Sequence, residues 1–74
     1  MDTQKVYDLL KKIGTQLDGL ESMFREMNAL GNSEKHEDFG IKLRATSNVQ
    51  QFSINRIRSS MQNLRDELDY LNDV

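Results

Sequence analysis

The sequence predicts an all-α fold: one domain, residues 1–74, forms an antiparallel, coiled-coil-like helical hairpin that assembles into a homo-oligomer. Two long stretches carry apolar residues alternately three and four positions apart, which is the spacing of a coiled-coil seam. A short segment rich in turn-forming residues separates them. The chain has no cysteine, and the core of so short a domain rarely supplies more than ~3–5 kcal/mol. Because disulfides are excluded, we expect association of copies to supply further stability.

The first helix is predicted over residues 3–30, where the apolar pattern is regular. Its seam consists of seven residues: Val6, Leu10, Ile13, Leu17, Leu20, Phe24 and Met27. Three further residues widen this stripe on one side: Leu9, Met23 and Leu30. Gly31, followed by Asn32 and Ser33, predicts a helix-ending glycine and a turn over residues 31–37.

The second helix is predicted over residues 38–72. Its seam consists of six residues: Ile54, Ile57, Met61, Leu64, Leu68 and Leu71. Residues 39–46 alternate apolar and polar, which is also typical of a short strand, but a lone strand would have no partner in this chain. Ser47 with Gln50 is a capping-box pattern that allows a later helix start. Since the turn is short, the two helices are expected to lie antiparallel.

A second apolar face is predicted on the second helix. Four residues form it, at positions i, i+4, i+8 and i+11: Ile41, Ala45, Val49 and Phe52. This face is rotated away from the seam, so the helix needs two packing partners. One is the first helix and the other is a neighbouring subunit, or alternatively a third contact within a kinked monomer.

Composition and charge exclude several classes of function. The single histidine, His36, and the absence of cysteine make a zinc site or a catalytic triad improbable. We therefore expect no enzyme, no metal and no cofactor. The net charge of −2 disfavours nucleic acid as a partner. No apolar run reaches the roughly 18 residues of a membrane span, and the first residues carry no signal-peptide pattern, so we expect no membrane partner and a cytoplasmic location.

The charges are unevenly distributed along the chain. Residues 39–65 contain no aspartate or glutamate but five basic residues. On a helix, arginine and amide side chains there share one stripe: Arg44, Asn48, Gln51, Asn55, Arg58, Gln62 and Arg65. Guanidinium forks spaced by amides suit a phosphate-bearing ligand with base or sugar edges. The alternative is a solvated coiled-coil flank, although such flanks usually mix charges of both signs.

Two glycines lie inside the first helix, Gly14 and Gly19. Each costs roughly 1 kcal/mol relative to alanine, so a close approach of backbone or ligand is expected there. Tyr7, Lys11 and Gly14 follow one another at i, i+4 and i+7. An aromatic ring, a cation and bare backbone could hold a nucleobase and its phosphate, and the alternative is a surface tyrosine beside a solvated lysine.

Two runs of the sequence resemble the helical-hairpin family of phage anti-defence sponges, which sequester the cyclic oligonucleotide signals of bacterial CBASS immunity. The first run is Leu10-Lys11-Lys12-Ile13-Gly14-Thr15-Gln16-Leu17-Asp18-Gly19-Leu20. The second is Ala45-Thr46-Ser47-Asn48-Val49-Gln50-Gln51, with Arg58 downstream. Together they cover about a quarter of the chain, and both patterns also occur in ordinary amphipathic helices.

This resemblance implies roles for individual residues. Lys11 matches the family's lysine that contacts a cyclic dinucleotide between subunits, and Ser47 stands where the family has a threonine in a second pocket. Arg44 lies near, but is not aligned with, the arginine of that pocket. The family's N-terminal segment with its ligand-stacking tyrosine is missing, so Tyr7 could replace that tyrosine only by position. Members of the family assemble into oligomers such as hexamers.

The sequence therefore predicts a non-catalytic, oligomeric protein that sequesters a cyclic di- or trinucleotide, in the host bacterial cytoplasm if it is phage-encoded. The predicted ligand-binding residues are Tyr7, Lys11, Gly14, Arg44, Ser47, Asn48, Gln51 and Arg58. One alternative is a small coiled-coil adaptor or regulator that binds a partner protein's helix. Another is a hairpin regulator that binds RNA or DNA, which the acidic pI of about 5.2 disfavours.

Overall fold

The computed structural model describes residues 2–73, so the ends of the predicted domain, Met1 and Val74, lie outside the described residues. Two helices follow each other, α1 (Thr3–Ser33) and α2 (Glu37–Asp73). They pack side by side as an antiparallel hairpin that forms a rod of 57 × 15 × 13 Å. Residues 2–73 include no strand, and the all-helical hairpin predicted from the apolar spacing is confirmed.

Local capping sets the helix ends. Asp2 caps α1, because its carboxylate accepts a hydrogen bond of 3.1 Å from the backbone NH of Lys5. The helix ends at Ser33, followed by Glu34 in an extended conformation. The first turn of α2 contains Glu37 and Asp38, whose charges are favourable at the positive end of the helix dipole. Residues 39–46 are helical throughout, so the alternative of a short strand is excluded there.

Gly31 does not end a helix, contrary to the prediction. It lies inside α1, and no described residue has a positive φ. A Cβ atom added to Gly31 would lie 2.8 Å from the carbonyl oxygen of Gly40. A Cβ added to Gly40 would lie 2.7 Å from the carbonyl oxygen of Gly31. The two glycines therefore let the helix backbones touch next to the turn, which moves to residues 34–36.

The contact between the helices has a thin core. On α2 the residues that face α1 recur every seven positions: Gly40, Ser47, Ile54, Met61 and Leu68. Only three apolar side chains in the described part of the chain are buried: Leu17, Ile54 and Leu68. Ser47 is fully buried; its hydroxyl donates to the carbonyl of Phe24 and accepts a bond of 2.9 Å from Gln51 Nε2. A polar residue with satisfied hydrogen bonds thus occupies a core position.

Many large apolar side chains remain exposed on the isolated hairpin. The second face of α2 is uncovered, with Ile41, Val49 and Phe52 exposed by 48%, 60% and 65%. Because α2 is one continuous helix and this face stays exposed, residues 2–73 do not supply the third contact that the kinked-monomer alternative requires. Neither helix offers an apolar stretch long enough to cross a membrane, among the residues described.

Candidate functional site

One long edge of the hairpin is polar and is built by both helices. We call it the polar flank, and it contains Tyr7, Gly14, Asp18 and Glu21 of α1 and Arg44, Gln51, Arg58, Arg65 and Asn72 of α2. The α2 members recur every seven residues, so they stay beside the α1 contact along the whole rod. Part of the basic stripe predicted from the sequence therefore lies beside α1, and the whole stripe is not a solvent-facing surface.

A groove of about 250 Å³ opens in the polar flank, and we call it the Gly14 groove. Its lining residues are Leu10, Gly14, Leu17, Arg58, Met61, Gln62 and Arg65. A Cβ added to Gly14 would meet no atom within 4 Å, so the missing side chain leaves open space. The groove combines apolar residues with two guanidinium groups and one amide. Such a lining can accept a flat ring and an attached anion.

Arg58 is held at this groove by carboxylates of α1. Its Nη2 lies 2.8 Å from Asp18 Oδ1 and 3.3 Å from Glu21 Oε2. The hydrogen bond that Arg58 donates to Asp18 is the main cause that raises the pKa of Arg58, although partial desolvation opposes it. The Asp18 side chain is 74% exposed, whereas that of Glu21 is 21% exposed. An incoming anion would therefore meet the Arg58 guanidinium paired with carboxylates, of which the exposed Asp18 is the more easily replaced.

Tyr7 joins α1 to the C-terminal part of α2. Its hydroxyl donates to the Asp69 carboxylate and accepts a bond of 3.2 Å from Asn72 Nδ2. The guanidinium carbon of Arg65 lies 5.8 Å from the centre of the Tyr7 ring, in cation–π range. Arg65 forms no ion pair with any carboxylate of residues 2–73. It is thus a groove cation that no carboxylate of residues 2–73 pairs with directly.

The Tyr7 contact makes a pH-dependent prediction. The hydrogen bond to Asp69 raises the pKa of Tyr7 above its ordinary value of 10.0. Since the neutral phenol is favoured in the folded state, its stabilising effect is complete below pH 10 and is lost as pH rises through the higher, folded-state pKa. We expect phenolate absorbance in Tyr70→Phe to appear at higher pH when the chain is folded than in urea. Identical titrations in both states would contradict the Tyr7–Asp69 hydrogen bond.

The remaining predicted residues fall into two groups. Lys11 is exposed and lies with Asp8, Lys12 and Thr15 on a surface of α1 outside the Gly14 groove. Tyr7, Lys11 and Gly14 therefore do not line one pocket in a single chain. Asn48, the other exposed member, lies on α2. For both exposed residues, ligand binding stays a prediction.

Three further predicted residues of α2 form hydrogen bonds at the contact between the helices: Arg44 and Ser47 bond to α1, and Gln51 bonds to Ser47. Arg44 Nη1 donates a bond of 3.0 Å to the carbonyl oxygen of Gly31. Ser47 and Gln51 form the buried chain of hydrogen bonds described above. These contacts give all three side chains a structural role, so substitutions here would change the fold together with any binding. A ligand-binding role for them also stays a prediction.

Sequence reasoning missed the acids that face the arginines. Residues 39–65 contain no acid, but the antiparallel pairing brings Asp18 and Glu21 from α1 against Arg58. Residues about equally far before and after residues 34–36 lie opposite each other, as Phe24 and Ser47 do. Asp18 and Glu21 lie closer to the turn than the position opposite Arg58, so distance from the turn alone does not identify them.

Comparison of the chain with known protein families, with curated proteins and with solved structures finds no match. The described residues contain no group of three or more histidine, aspartate or glutamate side chains arranged to hold a metal ion. The interpretation of the polar flank therefore rests on its geometry and on the chemistry of its side chains.

Proposed function

We propose that this chain is a non-catalytic binding protein that sequesters cyclic di- or trinucleotides, with several copies of the hairpin assembled around the ligand. The observation that carries the proposal is the Gly14 groove, where Arg58 and Arg65 flank an open space left by a glycine. A phosphate accepts paired hydrogen bonds from such guanidinium groups. The resemblance of residues 10–20 and 45–51 to the phage sponge family supports the same ligand class and a role in phage anti-defence.

Binding would proceed by exchange of one anion for another. The Asp18 carboxylate is mostly exposed, and an exposed ion pair contributes only ~0–1 kcal/mol. A ligand phosphate can therefore replace Asp18 at Arg58 at little cost. Arg65 can bind a phosphate directly, because it has no acidic partner within the described chain. Neither step needs an acid–base pair or a nucleophile.

The size of the groove supports a role for more than one copy. Its volume of about 250 Å³ is below the ~300–1,000 Å³ typical of pockets for drug-sized ligands. One groove therefore accommodates a single nucleotide unit rather than a whole cyclic dinucleotide. The rest of the ligand would contact another copy, which is where the exposed Lys11 could contribute a further cation.

The proposal is tested by thermal unfolding with a panel of cyclic di- and trinucleotides, with linear dinucleotides as controls. A ligand that binds only the folded state stabilises it by about 2.7 kcal/mol at a concentration of 100 Kd. We expect a clear rise in Tm for at least one cyclic ligand and a smaller rise for its linear counterpart. No rise with any ligand at high excess would overturn the proposal.

The arginine that should matter most for binding is Arg65, which has no ion pair within residues 2–73. We expect Arg65→Ala to weaken the best cyclic ligand about 10- to 100-fold, the equivalent of one lost charge-assisted hydrogen bond. Arg56→Ala is the matched control, because it removes the same charge from α2 at an exposed position outside the Gly14 groove. Calorimetric titration measures both affinities. Equal losses would indicate general charge attraction and contradict a site at the groove.

A second candidate function is a coiled-coil adaptor or regulator that binds a helix of another protein. The exposed face around Ile41, Val49 and Phe52 favours it, because a helix of a partner can pack into such a face. This candidate predicts no Tm rise with any nucleotide and an α2 face that copies of the chain leave uncovered. A stable assembly with a ligand-induced Tm rise would exclude it.

A further inference from the structure

The face of α1 that points away from α2 carries a second regular row of residues. We call this row the outer seam, and its residues are Leu9, Lys12, Gln16, Gly19, Met23, Glu26 and Leu30. They are spaced alternately three and four apart, as in a coiled coil. All seven are exposed in the isolated hairpin. Leu9, Met23 and Leu30 are the residues predicted to widen the first seam on one side, and they are exposed by 57%, 56% and 63%.

Gly19 lies at the centre of the outer seam, and no contact within residues 2–73 requires a glycine there. A Cβ added there would meet no atom within 4 Å, so contact with α2 does not require glycine. Glycine inside a helix is unfavourable by about 1 kcal/mol relative to alanine. It is useful where another backbone must approach closely. The unexplained glycine therefore points to a partner on this face.

The order of residues along the outer seam identifies the partner as a second copy of the same chain. In two identical antiparallel helices that cross at Gly19, residues equally far before and after it lie opposite each other. Lys12 and Glu26 lie seven residues on either side, so each lysine faces the glutamate of the second copy. Leu9 and Leu30 lie ten and eleven residues from Gly19, at the two ends, so each leucine comes within one residue of the position opposite the other. The twofold symmetry thus gives two lysine–glutamate pairs and two leucine–leucine pairs in one dimer.

The charges that would meet are available for this contact. Neither Lys12 nor Glu26 forms an ion pair within residues 2–73. An unrelated partner would need to carry the reverse charge order independently, whereas a second copy supplies it by symmetry. Residues 2–73 also include only three buried apolar side chains, so covering the leucines of α1 would add to a small core.

We infer that two copies of the chain pack through their outer seams, α1 against α1, antiparallel about a twofold axis at Gly19. This inference is independent of nucleotide binding. It leaves the second apolar face of α2 free, so larger assemblies built through that face contain an even number of chains. Light scattering should accordingly give a dimer or an even multiple. A monomer at high concentration or a stable trimer would overturn the inference.

Disulfide trapping locates the axis. The chain has no cysteine, and a disulfide forms only when the two Cα atoms approach to about 4.4–6.8 Å. We expect Gly19→Cys to form cross-linked dimers in oxidised glutathione at least tenfold faster than Ser22→Cys. Ser22 is the matched control because it is exposed on α1, one turn away and outside the outer seam. Equal rates for the two variants would overturn a twofold axis at Gly19.

Charge reversal tests the pairing without changing Gly19. In Lys12→Glu or Glu26→Lys, two pairs of like charges face each other in the dimer, and we expect the dimer Kd to rise about tenfold. The double variant restores opposite charges and should return the Kd to within about threefold of the original, as sedimentation measures. A double variant that dimerises more weakly than either single variant would overturn the inference. Such a result would mean that each substitution weakens the dimer independently and that the two residues do not pair.

Discussion

The variant Gly40→Ala should lower the free energy of unfolding by about 1–3 kcal/mol, although alanine is the better helix former. The added Cβ would lie 2.7 Å from the carbonyl oxygen of Gly31. That oxygen belongs to the backbone of α1, so relief of the overlap requires the two helices to separate next to the turn. Urea unfolding followed by circular dichroism, at one fixed protein concentration, measures the change.

Gly14→Ala is the matched control for this experiment. The same substitution in the middle of α1 meets no atom within 4 Å, so only the gain in helix propensity remains. We expect it to raise the free energy of unfolding by about 1 kcal/mol. The two variants therefore differ in sign. Stabilisation by both would show that the helices are farther apart at Gly40 than the structure places them.

The second large effect is expected from Ile54→Ala, which should cost about 2–5 kcal/mol. Ile54 is only 4% exposed, and the core of so small a domain supplies about 3–5 kcal/mol in total. The variant should therefore be largely unfolded as an isolated hairpin. Loss of the helical signal at 222 nm, and a lower urea midpoint, would report this result.

Ile57→Ala provides the comparison at the next position of the predicted seam. Ile57 is 41% exposed in the hairpin, so truncation removes less buried surface, and we expect a clearly smaller loss. An equal loss for the two variants would contradict the burial seen in the hairpin. It would place Ile57 in a contact between copies.

The existence of two helices and their hairpin arrangement could be predicted from the sequence, because seams such as Leu10 to Met27 have a clear helical spacing. The residues through which the two helices touch near the turn could not be predicted from the sequence. Extending the second seam before Ile54 meets Ser47 and Gly40, which are poor signals of a core in any single-chain pattern. They become recognisable only when α1 is present, since Phe24 and Gly31 supply the facing carbonyl groups.

The candidate site was predictable to a similar extent. Periodicity placed Arg58 and Arg65 on one stripe, and the helical cost of glycine drew attention to Gly14. Their neighbours across the groove depend on how far the two helices are shifted along each other, which no local pattern encodes. For this reason Asp18, the closest acid to Arg58, was not among the predicted site residues.

The buried Ser47 and the Gly31–Gly40 contact together fix the register of the hairpin. Two helices with heptad rows can in principle slide by one repeat and still bury apolar residues. Sliding here by seven residues would bring Ile54 to the Phe24 carbonyl and leave the Ser47 hydroxyl without that acceptor. It would also separate the paired glycines. Small side chains, rather than the large apolar ones, thus determine which alignment of the two helices is the native one.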